Sequence, residues 1–134
     1  MSDRVNHAAV WTAAIAYFAF GYVWYGLLFS VTWTQLMGKT VNQPPATLAE
    51  SFVLGLILSY AAAIALTRRP EDQTVSQGIG FAIFMSVAIY ATQTLNNTLY
   101  EGVSMMVWFI NAGYVVIGFA IIGAIVGGWK QKAA

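Results

Sequence analysis

Four long runs of apolar residues, separated by short polar segments, constrain this chain more than any other feature of its sequence. A bilayer core about 30 Å thick needs roughly 20 apolar helical residues to cross it. Because 59% of the residues are hydrophobic and 8% are charged, little chain is left for a soluble domain. We therefore predict one all-α domain over residues 1–134, an integral membrane bundle of four transmembrane helices. The predicted spans are about 8–29, 48–66, 75–95 and 103–128.

The three connections between these spans differ in character. In the first, residues 31–37 mix apolar and polar side chains, and either a short interfacial helix or a plain loop fits this pattern. The second is short and charged, and Thr74 or Ser76 offers an N-cap for the third helix. The third connection is predicted to be a tight turn from Asn96 to Gly102.

The basic residues predict the orientation of the bundle. Four spans place both termini and the second connection on the same side of the membrane. The residues on that side are Arg4, Arg68, Arg69, Lys130 and Lys132, whereas the other side has Lys39. Because basic residues are enriched in cytoplasmic segments, we predict that the N- and C-termini are both cytoplasmic.

Composition excludes several classes of function. The net charge of +1 gives no basic footprint for nucleic acid. The chain has no cysteine and one histidine, so we predict no metal site, cofactor or cysteine nucleophile. Glu50 and Glu101 lie on separate helices and could act as an acid and base pair only if folding brings them together. We find no nucleophile with an adjacent base, so the sequence favours a non-enzymatic protein with no catalytic residues.

Aromatic and amide side chains are concentrated toward the predicted outer side of the bundle. Trp33 and Trp129 lie at span ends and are interpreted as members of the interfacial aromatic belts. The Trp24-Tyr25 pair lies deeper, which leaves a packing role or a pocket role open. The candidate ligand-binding residues are Trp24, Tyr25, Tyr90, Gln93, Asn97, Glu101, Asn111 and Tyr114.

The spacing of these polar residues predicts which of them share one face of a helix and where that face points. Ser86, Tyr90, Gln93 and Asn97 follow the periodicity of one helix face. Polar groups at membrane depth face protein or water, so the faces bearing Gln93 and Asn111 are expected to point inward. One interpretation is that the amides only join helices by hydrogen bonds. The other is an outward-facing pocket in which Glu50 or Glu101 is the sole full charge.

Small residues recur at intervals of four in two spans. The second span carries Ser51, Gly55, Ser59 and Ala63, and the fourth carries Gly123 and Gly127. Because lipid provides no hydrophobic force between helices, such stripes allow close packing in membranes. They indicate either intramolecular packing or the seam of a homo-oligomer.

Several short motifs resemble a known family. They are Trp24-Tyr25-Gly26-x-Leu28-Phe29 with Trp33 and Gly38, Glu101-Gly102, Ile110-Asn111-Ala112-Gly113-Tyr114 and Gly123-Ala124-x-x-Gly127-x-Trp129. Over nearly its whole length the chain resembles the small bacterial membrane proteins catalogued as domain of unknown function 1761. The resemblance implies a four-span protein of the bacterial inner membrane and transfers no activity or catalytic residue.

Two functional hypotheses follow from these observations. The first is a non-enzymatic bundle that binds a small or lipid-like ligand, or a partner protein, in an outward-facing aromatic and amide cleft. The alternative is an oligomeric small channel or transporter with a path lined by Gln93 and Asn111. Against this alternative, no ionisable residue lies near the middle of a span, where proton-coupled transporters usually keep one.

The predicted orientation has a direct test. A reporter enzyme that is active only in the cytoplasm, fused after Ala134, is expected to be active. A reporter active only outside the inner membrane, fused at the same position, is expected to be silent. The opposite pattern would overturn the predicted topology.

Overall fold

The computed structural model describes residues 5–38, 45–68 and 73–129, and this part of the chain forms five helices. They are α1 (His7–Leu28), α2 (Ser30–Met37), α3 (Pro45–Thr67), α4 (Val75–Glu101) and α5 (Met105–Gly128). All except α2 are long and apolar enough to cross a membrane. The prediction of an all-helical chain with four membrane-capable helices is therefore confirmed.

The boundary between α4 and α5 differs from the prediction. α4 continues through the polar residues after position 95, so the predicted turn from Asn96 to Gly102 is wrong. The hydroxyl groups of Thr94 and Thr98 donate to the backbone carbonyls four residues earlier, at 2.8 Å each, so these side chains are satisfied within the helix. The helix ends at Gly102, whose φ of 69° suits a residue without a side chain.

The length of α4 has a consequence for its polar end. At 1.5 Å per residue, its 27 residues extend about 40 Å, which exceeds a hydrocarbon core of about 30 Å. When the helix is embedded with Val75 at one interface, its last turns reach the opposite interface. This explains how the polar segment Thr92–Glu101 can continue a membrane-spanning helix.

The first connection contains a helix, which decides between the two structures considered for residues 31–37. α2 begins directly after Phe29, a non-helical residue with φ of −119° and ψ of 15°. It ends at Gly38, which has a φ of 68°. Residues 39–44, including Lys39, lie outside the described residues.

The two ends of the described chain lie together. The side chain of Asn6 accepts a hydrogen bond from the backbone N–H of Ala9 at 3.2 Å, which caps α1. Its amide nitrogen donates to the carbonyl of Trp129, also at 3.2 Å. This contact joins the start of α1 to the end of α5, as an even number of spans requires. Apart from Arg68, the basic residues that predict orientation lie outside the described residues, so orientation stays a prediction.

α5 is the central helix of the bundle. It packs against α4, α1 and α3, while α1 also packs against α3 and α4 packs chiefly on α5. The core shared by α1, α3 and α5 is built largely from small and branched residues, such as Val10, Ala13, Ala63 and Ile122. Gly55, Ser59 and Ala63 of α3 are buried, so this part of the small-residue stripe packs within the chain, whereas Ser51 is exposed.

The closest approach between helices is the backbone contact of α4 with α5. A side chain added at Gly78 would overlap the carbonyl of Gly123, and one added at Gly123 would overlap the carbonyl of Gly78. Gly127 lies against the carbonyl of Thr74. The Gly123-x-x-x-Gly127 stripe therefore acts as an intramolecular seam, while association of separate copies stays a prediction. Gly80, by contrast, faces open space.

This seam predicts different effects for two neighbouring glycines. Gly78→Ala forces the two backbones apart and is expected to lower the free energy of unfolding by about 1–3 kcal/mol. Gly80→Ala places the same methyl group in open space and is expected to be neutral or stabilising by up to about 1 kcal/mol, because alanine favours the helix. Unfolding by sodium dodecyl sulfate in mixed micelles, followed by tryptophan fluorescence, measures both. Equal destabilisation by the two substitutions would contradict the seam.

Candidate functional site

Two of the long helices widen into π-helical turns. In α1 the π-helical segment is Tyr22–Leu28, and in α4 it is Ser86–Ala91. The bond from the Phe29 N–H to the Trp24 carbonyl, at 2.9 Å, spans five residues instead of four. Such turns are rare and occur frequently at functional sites.

The first π-helical segment joins α1 to α5 through two adjacent side chains. The indole N–H of Trp24 donates to the Ile110 carbonyl at 2.9 Å. The hydroxyl of Tyr25 donates to Oδ1 of Asn111 at 2.5 Å. Consecutive residues of α1 are thereby bonded to consecutive residues of α5, which fixes the rotation of one helix against the other.

Around these bonds lies a set of contacting rings that we term the aromatic cluster. Its members are Tyr17, Phe20, Trp24, Tyr25, Phe29, Trp33 and Tyr114, and Tyr90 lies near them. Tyr114 is at its centre, with its ring centroid 5.1 Å from those of Tyr17 and Tyr25 and 5.7 Å from that of Phe20. Aromatic pairs of this kind contribute about 0.5–1.5 kcal/mol each beyond the area they bury.

Glycines provide the space for these rings. Gly118 lies against the ring of Tyr17, and a side chain there would come within 2.7 Å of that ring. Gly21 lies against the hydroxyl end of Tyr114, and a side chain at that position would approach it to 3.1 Å. Each helix therefore packs an aromatic ring against a glycine of the other helix, which holds the cluster between α1 and α5.

The second π-helical segment brings α4 to the same level of the bundle. Tyr90, which lies in this segment, is half-buried and lies near Tyr25 and Tyr114. The indole N–H of Trp108 donates to the Ala91 carbonyl at 3.1 Å and to the Thr94 hydroxyl at 3.2 Å. Both π-helical segments thus border the aromatic cluster.

The structure brings together some of the predicted site residues and separates others. Trp24, Tyr25 and Tyr114 belong to the cluster, Tyr90 lies near it, and Asn111 is bonded to it. Three residues of α4 lie outside it, exposed on the last turns of that helix. They are Gln93, Asn97 and Glu101.

The separation has a backbone cause. The expectation of a single inward face from Ser86 to Asn97 assumes a regular α-helix. The π-helical segment Ser86–Ala91 lies within that stretch and changes the rotation of every residue after it. Ser86 is buried and Tyr90 half-buried, but Gln93 is exposed. The prediction of one inward face is therefore wrong beyond Tyr90.

Sequence reasoning missed four members of the cluster, namely Tyr17, Phe20, Phe29 and Trp33. Tyr17 and Phe20 share the helical spacing of Trp24, at i, i+3 and i+7, and this pattern could have placed them on its face. Trp33 was assigned to the interfacial belt, but its ring packs edge-on against Tyr25 at 6.0 Å. Its indole nitrogen is buried and has no hydrogen-bond partner among the described residues.

The aromatic cluster and the Asn111 side chain bonded to it carry no formal charge. Their polar groups are phenol hydroxyls, indole N–H groups and one amide. The described residues contain no group of three histidine, cysteine, aspartate or glutamate residues that could hold a metal. Glu50 and Glu101 are both exposed, and Glu50 borders a separate shallow apolar depression with Ala49, Val53 and Leu54.

A family of known proteins matches this chain. The family is described as a protein of unknown function (DUF1761), and its match covers residues 8–127. This range includes nearly all of the four long helices and the whole aromatic cluster, which confirms the resemblance drawn from the motifs. Searches of curated proteins and of solved structures gave no match.

The hydrogen bond between Tyr25 and Asn111 predicts energetic coupling between these positions. In a double-mutant cycle of Tyr25→Phe and Asn111→Ala, the coupling energy for unfolding is expected to lie between about 0.6 and 1.7 kcal/mol. A second cycle that combines Tyr25→Phe with Gln93→Ala is expected to be additive, because Gln93 is exposed. Coupling no larger than in this control would contradict the bond.

Proposed function

We propose that this chain, which belongs to the DUF1761 family, is a non-enzymatic membrane protein that binds a small or lipid-like molecule at its aromatic cluster. The proposal places the protein in the bacterial inner membrane with both termini in the cytoplasm. The binding residues proposed are Trp24, Tyr25, Tyr90, Asn111 and Tyr114. Gln93, Asn97 and Glu101 are left out because they are exposed beyond the second π-helical segment.

The observation that carries the proposal is that only the oxygen of the Asn111 side-chain amide is hydrogen-bonded among the described residues. Its Oδ1 accepts the hydroxyl of Tyr25, but the described residues offer no partner for its amide nitrogen. Asn111 is six residues into α5, which corresponds to about 9 Å along the helix axis. An amide N–H without a partner is costly at membrane depth, so a bound acceptor would supply the missing bond.

The surroundings of Asn111 support a ligand with an apolar body. Tyr25, which is bonded to Asn111, packs edge-on against Tyr114 with ring centroids 5.1 Å apart. Ligand sites in proteins commonly combine apolar and aromatic walls with a few placed polar groups. The absence of a formal charge among the cluster side chains favours an uncharged molecule, because an ion would find no compensating partner there.

The two alternatives have weaker support. A purely structural role explains the Tyr25–Asn111 bond but leaves the Asn111 amide nitrogen without a function. A conduction path lined by both Asn111 and Gln93 is not favoured, because Asn111 is half-buried at the cluster whereas Gln93 is exposed. Enzymatic chemistry would need a nucleophile with an adjacent base, and the cluster offers phenols, indoles and one amide.

Native mass spectrometry of the protein released from mild detergent tests the proposal. The wild type is expected to retain a non-covalent mass, which Asn111→Leu removes because it deletes the polar group and keeps a similar volume. Gln93→Leu is the matched control, and it is expected to retain the mass. The same spectra report the number of subunits and so test the predicted homo-oligomer.

Two results would count against a binding function. One is a wild-type spectrum with no retained mass under conditions that preserve the folded protein. The other is a mass that Asn111→Leu and Gln93→Leu retain equally, since this would place the molecule away from the aromatic cluster.

A further inference from the structure

Trp33 is the one partly buried tryptophan of the described chain whose indole N–H is left without a partner. Trp24 and Trp108 are partly buried too, and both donate to backbone carbonyls. The Nε1 of Trp33 is shielded from solvent and has no acceptor among the described residues. A buried donor that lacks a partner is a costly feature that native proteins rarely keep, so this one needs an explanation.

The position of Trp33 connects it to the proposed site. Its ring packs edge-on against Tyr25, and the hydroxyl of Tyr25 is bonded to Asn111. Two donors without partners among the described residues, the Trp33 indole N–H and the Asn111 amide N–H, therefore belong to side chains that both contact Tyr25. Both are uncharged donors, and they complement an uncharged acceptor such as a carbonyl oxygen.

Trp33 also lies on the element best placed to cover the site. α2 packs on the π-helical segment of α1 and on α5, and one non-helical residue, Phe29, separates it from α1. Trp33 therefore lies where α2 contacts both α1 and α5, and its indole nitrogen is shielded from solvent there.

We infer that Trp33 is a ligand-binding residue whose indole N–H donates to a carbonyl oxygen of an uncharged, lipid-like molecule, with α2 as the cover. This inference rests on the proposed function and specifies the chemistry of the ligand. An acyl ester has this chemistry, and it could come from a free molecule such as a monoacylglycerol or from the ester group of a bilayer phospholipid. A carboxylate or phosphate is disfavoured, because no cationic side chain belongs to the aromatic cluster.

The test uses two probes that differ in the carbonyl group. The protein is placed in nanodiscs of diether phospholipid, which contain no ester carbonyl, and titrated with 1-oleoylglycerol or with its ether analogue 1-O-oleylglycerol. The readout is the ¹⁵N–¹H signal of the Trp33 indole, assigned by its loss in Trp33→Phe. A third sample, in diester phospholipid nanodiscs without a probe, reports whether a bilayer lipid supplies the acceptor.

The ester is expected to shift the Trp33 indole signal and to bind about fivefold more tightly than the ether, as one added hydrogen bond provides. Trp33→Phe keeps an aromatic ring against Tyr25 and is expected to reduce ester binding to the level of the ether. Trp129→Phe, at the opposite end of the bundle, is the matched control and should leave the ester preference intact. A shift in the diester nanodiscs alone would support the same donor with phospholipid as its source.

Other outcomes separate failure of the inference from failure of the proposed function. If the wild type binds ester and ether equally and the Trp33 signal does not move in any sample, the assignment of Trp33 is wrong while a binding function stands. If the wild type binds neither probe, shows no shift in diester nanodiscs and retains no mass on release from detergent, both are overturned.

Discussion

The close approach of α5 to its neighbours is the interaction on which the rest of this structure depends. Lipid provides no hydrophobic force between helices, so the bundle is held by van der Waals contact and by internal hydrogen bonds. Toward one end of α5, Gly123 and Gly127 bring the backbone of α4 into direct contact. Toward the other end, Gly113 and Gly118 receive aromatic rings from α1. One helix thereby divides the bundle into a tightly packed half and an aromatic half.

The π-helical turns show how the aromatic half acquires its polar groups. In a regular α-helix, the side chains of Trp24 and Tyr25 would point in a different direction around the helix axis. They would then not reach Ile110 and Asn111, to which they are bonded. The widened turn in α1 aims both side chains at α5, and the widened turn in α4 directs the residues after Tyr90 away from the cluster. These turns lack the regular α-helical pattern of backbone hydrogen bonds, and the ring contacts and side-chain hydrogen bonds around them offset that loss. Their shared position beside one cluster links local backbone irregularity to the proposed site.

The chemistry of the cluster follows from its location in a membrane-capable bundle. Charged groups at such depth are costly and need a partner, and the cluster contains none. Its polarity comes from hydroxyl, indole and amide groups, which distinguish ligands by hydrogen bonding and shape. In the described part of the chain, the donors of Trp33 and Asn111 have no partner, which gives this surface a surplus of hydrogen-bond donors. That surplus is the property that favours a carbonyl-bearing, uncharged ligand over an ion.

The sequence by itself determined the number of membrane-capable helices and the use of Gly123 and Gly127 for packing, and it limited the N-cap of α4 to Thr74 or Ser76, of which the structure uses Thr74. These features depend on local composition and spacing, which a chain carries before it folds. Only the tertiary structure decided the rotation of the helices, because a π-helical turn is stable where neighbouring helices compensate for it. Tyr25 therefore pairs with Asn111 while Gln93 is exposed, although the regular helical period places Gln93 on the same face as Ser86. Packing against neighbouring helices also buries the indole N–H of Trp33 without a partner among the described residues. The position of Trp33 at a span end does not indicate this burial.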